Sequence, residues 1–337
     1  MSTHVRKKFA LAVLVGTSLV LLSGGLAANG ATTRPEDIRS ALQQVIPEVL
    51  SGLTGEHTTD DGDTAIATSV GNTSVNVPTD PSSGIDFIFP SGKSVSVGLP
   101  FPSEANDAFV VQRGIVAYGN SNGSTTVPAV KSDSSVQIST VIDSASAPTR
   151  YVYSFDLSEG ADLILLETGG AMVTGDDGLP LLNIAPPMAW DSGGSVVPTR
   201  YEVSGPTLIQ VVELSESATY PIVADPWLNV ALIETATVTY PYGGTAKYKV
   251  NVTPSDWGKG WVGPLTWGAW ESELKTKLGS DASKVTFVVR EQLNCHLAGF
   301  PLSLPEFNLE SWRQSMTWSD MAPYNCNYPE GGWGSAS

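Results

Sequence analysis

This sequence is poor in the residues that carry metal and thiol chemistry. Three histidines and two cysteines in 337 residues are too few for a histidine-rich zinc centre, and no His-Glu-x-x-His segment occurs. Positive charge is also scarce: 18 Lys and Arg stand against 34 Asp and Glu, a net charge of -16. A chain that acidic repels phosphate backbones, which argues against nucleic acid and against anionic membrane surfaces as partners. Only residues 9–22 form a long apolar run, shorter than the roughly 20 residues of a spanning helix. No Cys follows it, so no lipoprotein anchor is expected, and no second run of that kind appears downstream.

That one run reads as an export signal. Arg6, Lys7 and Lys8 precede it, and small residues continue to Ala31, with Ala27, Ala28, Gly30 and Ala31 each able to end the leader. The expectation is a secreted, extracellular protein with residues 1–31 removed. Beyond the leader, residues 32–226 hold 24 acids against 7 Lys or Arg, whereas residues 227–337 hold 10 against 8. The asymmetry suggests two units. Cys295 and Cys326 both fall in the second, and outside the cell two thiols in one module usually pair. Closing their 31-residue separation contributes roughly 3 to 4 kcal/mol in the loop-entropy model. The competing reading is a catalytic thiol with His296 beside it, but sequence neighbours point their side chains apart.

Residues 35–53 carry Ile38, Leu42, Val45, Ile46, Val49 and Leu53 near helical spacing, with Glu36 and Asp37 in the first turn and Pro47 as an interruption. Residues 55–82 are rich in Thr, Ser, Gly, Asn and Asp and read as a polar linker. From 84 to 225 short runs rich in Val, Ile, Thr and Tyr alternate with turn residues. The clearest are 85–89, 95–97, 109–116, 136–142, 151–157, 161–166, 201–203 and 207–214. That rhythm argues for an antiparallel sandwich or barrel. Eight of the nine tryptophans lie at or beyond Trp227. There 230–240 and 245–252 read as a hairpin. Residues 265–278 read as a helix, with Trp267, Trp270, Leu274 and Leu278 on one face. Residues 285–297 fit either a strand or a helix, and from Pro301 onward the pattern is short and irregular.

Two resemblances follow. The segment Tyr220-Pro221-Ile222-Val223-Ala224-Asp225-Pro226, with the upstream Ala185-Pro186-Pro187-Met188-Ala189-Trp190-Asp191, is similar to the ending and a turn of β-rich domains in large secreted bacterial proteins. It implies a domain boundary near Trp227 and no catalytic residue. The second is carried by Trp257, by Trp267 with Trp270 and Glu271, by Glu291-Gln292-Leu293-Asn294-Cys295-His296, by Asn308-Leu309-Glu310-Ser311-Trp312-Arg313, and by Cys326-Asn327. Residues 255–328 thereby resemble the secreted family known as domain of unknown function 2599. The resemblance implies export from a high-GC Gram-positive bacterium and a small α+β module with a Cys-Cys bridge. It implies no activity.

The candidate sites each have a bland counterpart. His296 and Glu310 could act as acid and base, with Trp312 and Arg313 nearby as ligand contacts. Yet Glu310 and Arg313 stand three apart, the spacing of a structural ion pair, and Trp312 suits a core. Trp257, Trp261, Trp267 and Trp270 could form an aromatic platform for sugar rings, or line the buried face of a helix. The acidic turns at 60–63 and 176–178 lack the bidentate Glu of a calcium loop. Gly119-Asn120-Ser121-Asn122-Gly123 matches a nucleophile elbow in letters, but Ser124-Thr125-Thr126-Val127-Pro128 follows where a helix should. Gly92-Lys93-Ser94 resembles the end of a phosphate loop, with Phe87 where its first Gly belongs. No cofactor and no metal are expected.

The fold expected is mainly β with an α+β C-terminal part. It comprises a leader (1–31), a short helix and polar linker (32–83), an antiparallel β-sandwich-like domain (84–226) and a small disulfide-closed α+β domain (227–337). The leading function is a non-enzymatic binding or interaction protein at or outside the cell envelope, its partner an envelope glycan or protein. The alternatives are a cell-surface hydrolase using His296 and Glu310 and a secreted effector or toxin-associated protein.

Overall fold

The computed structural model describes residues 34–70, 73–215, 217–244, 246–255, 258–259, 266–298, 305–324 and 326, all within one compact unit. The leader, Trp257 and Trp261 lie outside the described residues. Among those described, no helix is long and apolar enough to cross a membrane.

The chain opens with helix α1 (Pro35–Val45), started by a proline in its first turn and by Glu36 and Asp37 at the positive end of its dipole. Pro47 cannot continue the ladder, so the helix stops and a 3-10 turn, Pro47–Leu50, takes over. Strands β1 (Thr64–Val70), β2 (Thr73–Pro78), β3 (Ile85–Ile88) and β4 (Ser94–Val97) come next. They are followed by β5 (Phe109–Gln112), β6 (Ile115–Gly119), β7 (Ser124–Val130) and β8 (Val136–Ile142). After β9 (Arg150–Asp156) come β10 (Asp162–Leu165), β11 (Ala171–Thr174), β12 (Pro180–Ile184) and β13 (Met188–Asp191). The body closes with β14 (Thr199–Ser204), β15 (Thr207–Val212), β16 (Ile222–Asp225) and β17 (Trp227–Leu228).

These strands make two antiparallel sheets. One runs β1-β2-β3-β4-β9-β15-β14; the other runs β10-β11-β12-β17-β8-β7-β6-β5, with β16 also pairing β8 and carrying β13. Their inner faces share one core in which Phe87, Tyr151 and Leu208 of the first sheet meet Tyr118, Ile138 and Leu182 of the second. The period of two decides the other face. Val130, Val136 and Ile138 point into the sandwich, while Val127, Ala129 and Val141 point outward against Ile38, Ala41 and Leu42 of α1. Every residue of β7 and β8 is therefore buried. Lys131 ties the helical lid down, its Nζ donating to the carbonyls of Val49 (2.6 Å) and Ser51 (2.9 Å).

The last part is built on β18 (Ile233–Thr239) and β19 (Lys249–Pro254), then α2 (Trp267–Leu278), α3 (Phe287–Leu297), β20 (Phe307–Glu310) and the short α4 (Trp318–Met321). The three strands pair in the order β18-β19-β20. Trp270 and Leu274 of α2 and Val289 and Leu293 of α3 pack with Val250, Val252, Phe307 and Leu309 of that sheet. The Cys295–Cys326 disulfide is formed, with Cα atoms 5.6 Å apart. The chain is thus mainly antiparallel β, a sandwich followed by a smaller disulfide-closed α+β part, as its sequence pattern indicated.

Several expectations need correction. The segment read as a polar linker contains β1 and β2, hidden because its threonines and serines alternate with only a few buried residues such as Val75 and Val77. The run 109–116 is two strands folded at Gly114, whose φ of 80° only glycine adopts freely. Residues 287–297 are helical, and the tail read as irregular supplies β20. Trp227 and Leu228 pair with β8, so the body runs past residue 226. Leu166 and Met172 of the body also join the C-terminal core.

Candidate functional site

Helix α3 places Gln292, Cys295 and His296 together, and all three are fully buried. Gln292 reads the backbone of β20 as a strand would. Its Oε1 accepts from Glu310 N (2.9 Å) and its Nε2 donates to Glu310 O (2.9 Å). His296 stacks flat on Phe307, ring centroids 4.7 Å apart. Of the two readings weighed for it, acid-base group or packing residue, its burial fits the second: the imidazole is sealed at 0% exposure. Glu310, its expected partner, pairs with Arg313 three residues on. The two candidates thus sit in different settings, His296 in a core and Glu310 in an ion pair at its edge.

The tryptophan platform fares the same way where it is described. Trp270 is fully buried and Trp267 is half-buried, edge-on to Trp318 at 5.3 Å. Trp312 is half-buried against Tyr242, at 5.1 Å. Cys326 lies with Met321 and Met316 over Cys295, and Glu291 accepts from Trp318 N (2.9 Å), so bridge and cap together seat α4 on α3. The acidic turn at 176–178 faces a cation of the chain itself, Lys93 Nζ donating to Asp176 and Asp177 at 2.8 Å each. Asn120, inside the elbow-like letters, donates to Ser124 and Thr126 within a tight turn, 3.0 Å in both cases. Among the described residues, no group of three or more His, Cys, Asp or Glu is placed to hold a metal.

A cleft of about 520 Å³ lies elsewhere, where α2 faces the edge of the sandwich. Its walls come from Val70 and Thr73 at the adjoining ends of β1 and β2, from the turns after β3 and β7, from β12, from the link between β17 and β18, and from one flank of α2. Phe89 and Pro180 give it apolar surface; Asp133, Asn183, Glu273 and Lys277 give it polar groups. The side-chain oxygen of Asn183 has no hydrogen-bond partner among the described residues. Glu273 has two, accepting from Leu232 N (2.8 Å) and Ile233 N (2.9 Å), which anchors α2 to the chain entering β18. Burial pushes its carboxyl up, the two amides and Lys277 pull it down, and Asp133 pushes it up again.

No family model matches this chain, and neither a search of curated proteins nor one of solved structures gives a match. The reading of the site therefore rests on geometry. A cleft of this volume lies within the range of small-molecule sites, and its mixture of one aromatic, two prolines and hydrogen-bonding side chains suits a ligand with both ring faces and hydroxyls. Both side-chain oxygens of Glu273 are engaged by backbone N–H groups. Sequence reasoning missed this site. Its residues come from six separate segments and share no spacing; Asp133 and Asn229 read locally as turn residues.

Proposed function

We propose that this chain is an exported, non-enzymatic binding protein of the cell envelope and that the cleft beside α2 holds a small hydroxyl-rich ligand, one or two sugar rings in size. One observation carries the reading: the cleft presents amide, carboxylate and hydroxyl groups beside Phe89, while His296, the imidazole of the candidate acid-base pair, is packed into a core. Amide and carboxylate groups fix hydroxyls in orientation and an aromatic face covers the apolar side of a ring. Export is supported by Arg6, Lys7 and Lys8 ahead of the apolar leader. The closed Cys295–Cys326 bridge suits an oxidising compartment.

Membership of the family known as domain of unknown function 2599 belongs to the same proposal. The residues that carry that resemblance have structural roles here: Gln292 clasps a strand, Cys295 bridges, and Glu310 pairs with Arg313. A family sharing them would share a fold and leave its ligand to other positions.

The test is saturation-transfer NMR of the secreted protein with a panel of mono- and disaccharides found in bacterial envelopes. Ser272 lines the cleft from the exposed side of α2, so Ser272→Trp fills it without touching the core. Binding of at least one sugar to the wild type, lost in Ser272→Trp, supports the reading. Equal signals from both proteins, or none from either, refute it.

A further inference from the structure

Strands β18, β19 and β20 end at one level, where Thr239, Lys249 and Glu310 lie side by side in register. The described segments that leave the sheet at that end carry aromatic and basic side chains in contact with one another. The β18–β19 turn brings Tyr240 and Tyr242, which are 39% and 57% exposed. Trp312, just past β20, stands edge-on to Tyr242. Lys247 holds its Nζ 5.3 Å from the centre of the Tyr242 ring, and Lys284 holds its own 4.7 Å from Tyr248 and 5.9 Å from Tyr240. Glu310 is already matched by Arg313. Among the described residues no carboxylate lies within 4.0 Å of the Lys247, Lys249 or Lys284 ammonium groups.

A chain of net charge -16 thus places three ammonium groups, with no carboxylate within 4.0 Å among the described residues, near the exposed Tyr240 and Tyr242 at one end of one sheet, two of them, Lys247 and Lys284, over tyrosine rings. Lysines bedded on aromatic rings are pre-positioned for an anion, since the ring holds the charge without neutralising it. The tyrosine faces beside them suit a flat, partly apolar partner that keeps hydrogen bonds to water.

We infer that this sheet end docks an anionic polysaccharide, a chain of sugar rings bearing carboxylate or phosphate groups. Charge complementarity selects the anion, and the paired rings select a sugar over a bare ion. A thread-like polymer meets the patch alone, because beyond about 8 Å the acidic body is screened at physiological salt. A broad anionic bilayer would face the acidic surface as well, and the patch offers no aliphatic wedge to insert in it. The surface shares no residue with the cleft, so the inference stands independently of the cleft's ligand.

Affinity electrophoresis of the whole mature protein tests this, with polygalacturonate as the carboxylate polymer, poly(glycerol phosphate) as the phosphate polymer and dextran as the neutral control. Retardation by at least one anionic polymer and none by dextran is expected, and which polymer acts identifies the anion. Lys247→Gln and Lys284→Gln should each weaken retardation about threefold and together about tenfold, with Tyr242→Ser in the same range. Lys247 and Tyr242 are exposed and Lys284 is half-buried; the lysine variants keep the test valid should the turn not tolerate Tyr242→Ser. The inference falls if neither anionic polymer retards the wild type, if the variants are retarded equally, or if the protein sediments with phosphatidylglycerol vesicles while ignoring both polymers.

Discussion

Asp225 is a carboxyl group folded into a place that water does not reach. It is 3% exposed and accepts a hydrogen bond from Gln137 Nε2. Burial pushes its pKa up from 3.8 to about 6, against the opposing pull of Gln137, the Met188 N–H and Lys131. A folded-state value above the unfolded one means that the neutral form favours the fold. That contribution is complete below about pH 3.8 and is lost as pH rises through about 6. Between pH 4.5 and 7 the loss amounts to about 2 kcal/mol. Urea unfolding of wild type and Asp225→Asn at both pH values checks this, the variant losing that much less stability across the window. Equal pH dependence would show that Asp225 is not the group responsible. Asp225 was legible in the sequence only as part of a domain ending; its burial under β8 and β13 comes from strands far away in the chain. His296 was legible as an ionisable group with a catalytic and a structural reading open, because nothing near it in sequence announces that Phe307 stacks on it.

Among the elements, α3 and β20 form the joint on which the C-terminal part depends. Gln292 supplies both sides of an amide-to-backbone pair to Glu310 and also donates to Val288 O at 3.0 Å. Gln292→Leu keeps the volume but leaves the Glu310 N–H and C=O without those partners in a buried setting, at a cost of about 2 to 4 kcal/mol. Chemical denaturation of the oxidised protein measures it, and a loss below about 1 kcal/mol would mean that water replaces the amide. Because the disulfide also joins α3 to the tail, the variant is expected to keep α4 in place while loosening β20. Periodicity revealed α2, whose Trp270, Leu274 and Leu278 repeat cleanly, and the alternating strands 136–142 and 150–156. It failed for α3 because Val285, Phe287 and Val289 also fit a strand. It failed for β20 because Phe307 and Leu309 are only two apolar residues, too few to show a period. The cleft was invisible for a further reason, since each wall is an ordinary turn or helix flank until the fold sets them face to face.

At the scale of the molecule, the two sheets hold four tyrosines between them, and those tyrosines set the alkaline limit. Tyr118, Tyr151, Tyr153 and Tyr201 are each at most 4% exposed, and burial pushes every hydroxyl well above the ordinary value of 10.0. Raised folded values make these groups stabilising below pH 10 and progressively less so above it, as the unfolded chain gains the ability to ionise. Lys131 works the other way. Burial lowers it from 10.5 to about 8, so its charged form disfavours the fold and stability recovers between those values, by at most about 3 kcal/mol. Four tyrosines outweigh it: at about 1.4 kcal/mol per pH unit each, they withdraw about 6 kcal/mol by pH 11 and about 11 by pH 12. A net stability of 5 to 15 kcal/mol is of that size. The fold should therefore hold to about pH 11 and unfold cooperatively by about 12.5. Absorbance at 295 nm and far-UV circular dichroism followed together check this: Tyr118, Tyr151, Tyr153 and Tyr201 should ionise only in step with loss of the β signal. Smooth titration of all tyrosines near pH 10 with the sheets intact would mean that solvent reaches the space between the sheets.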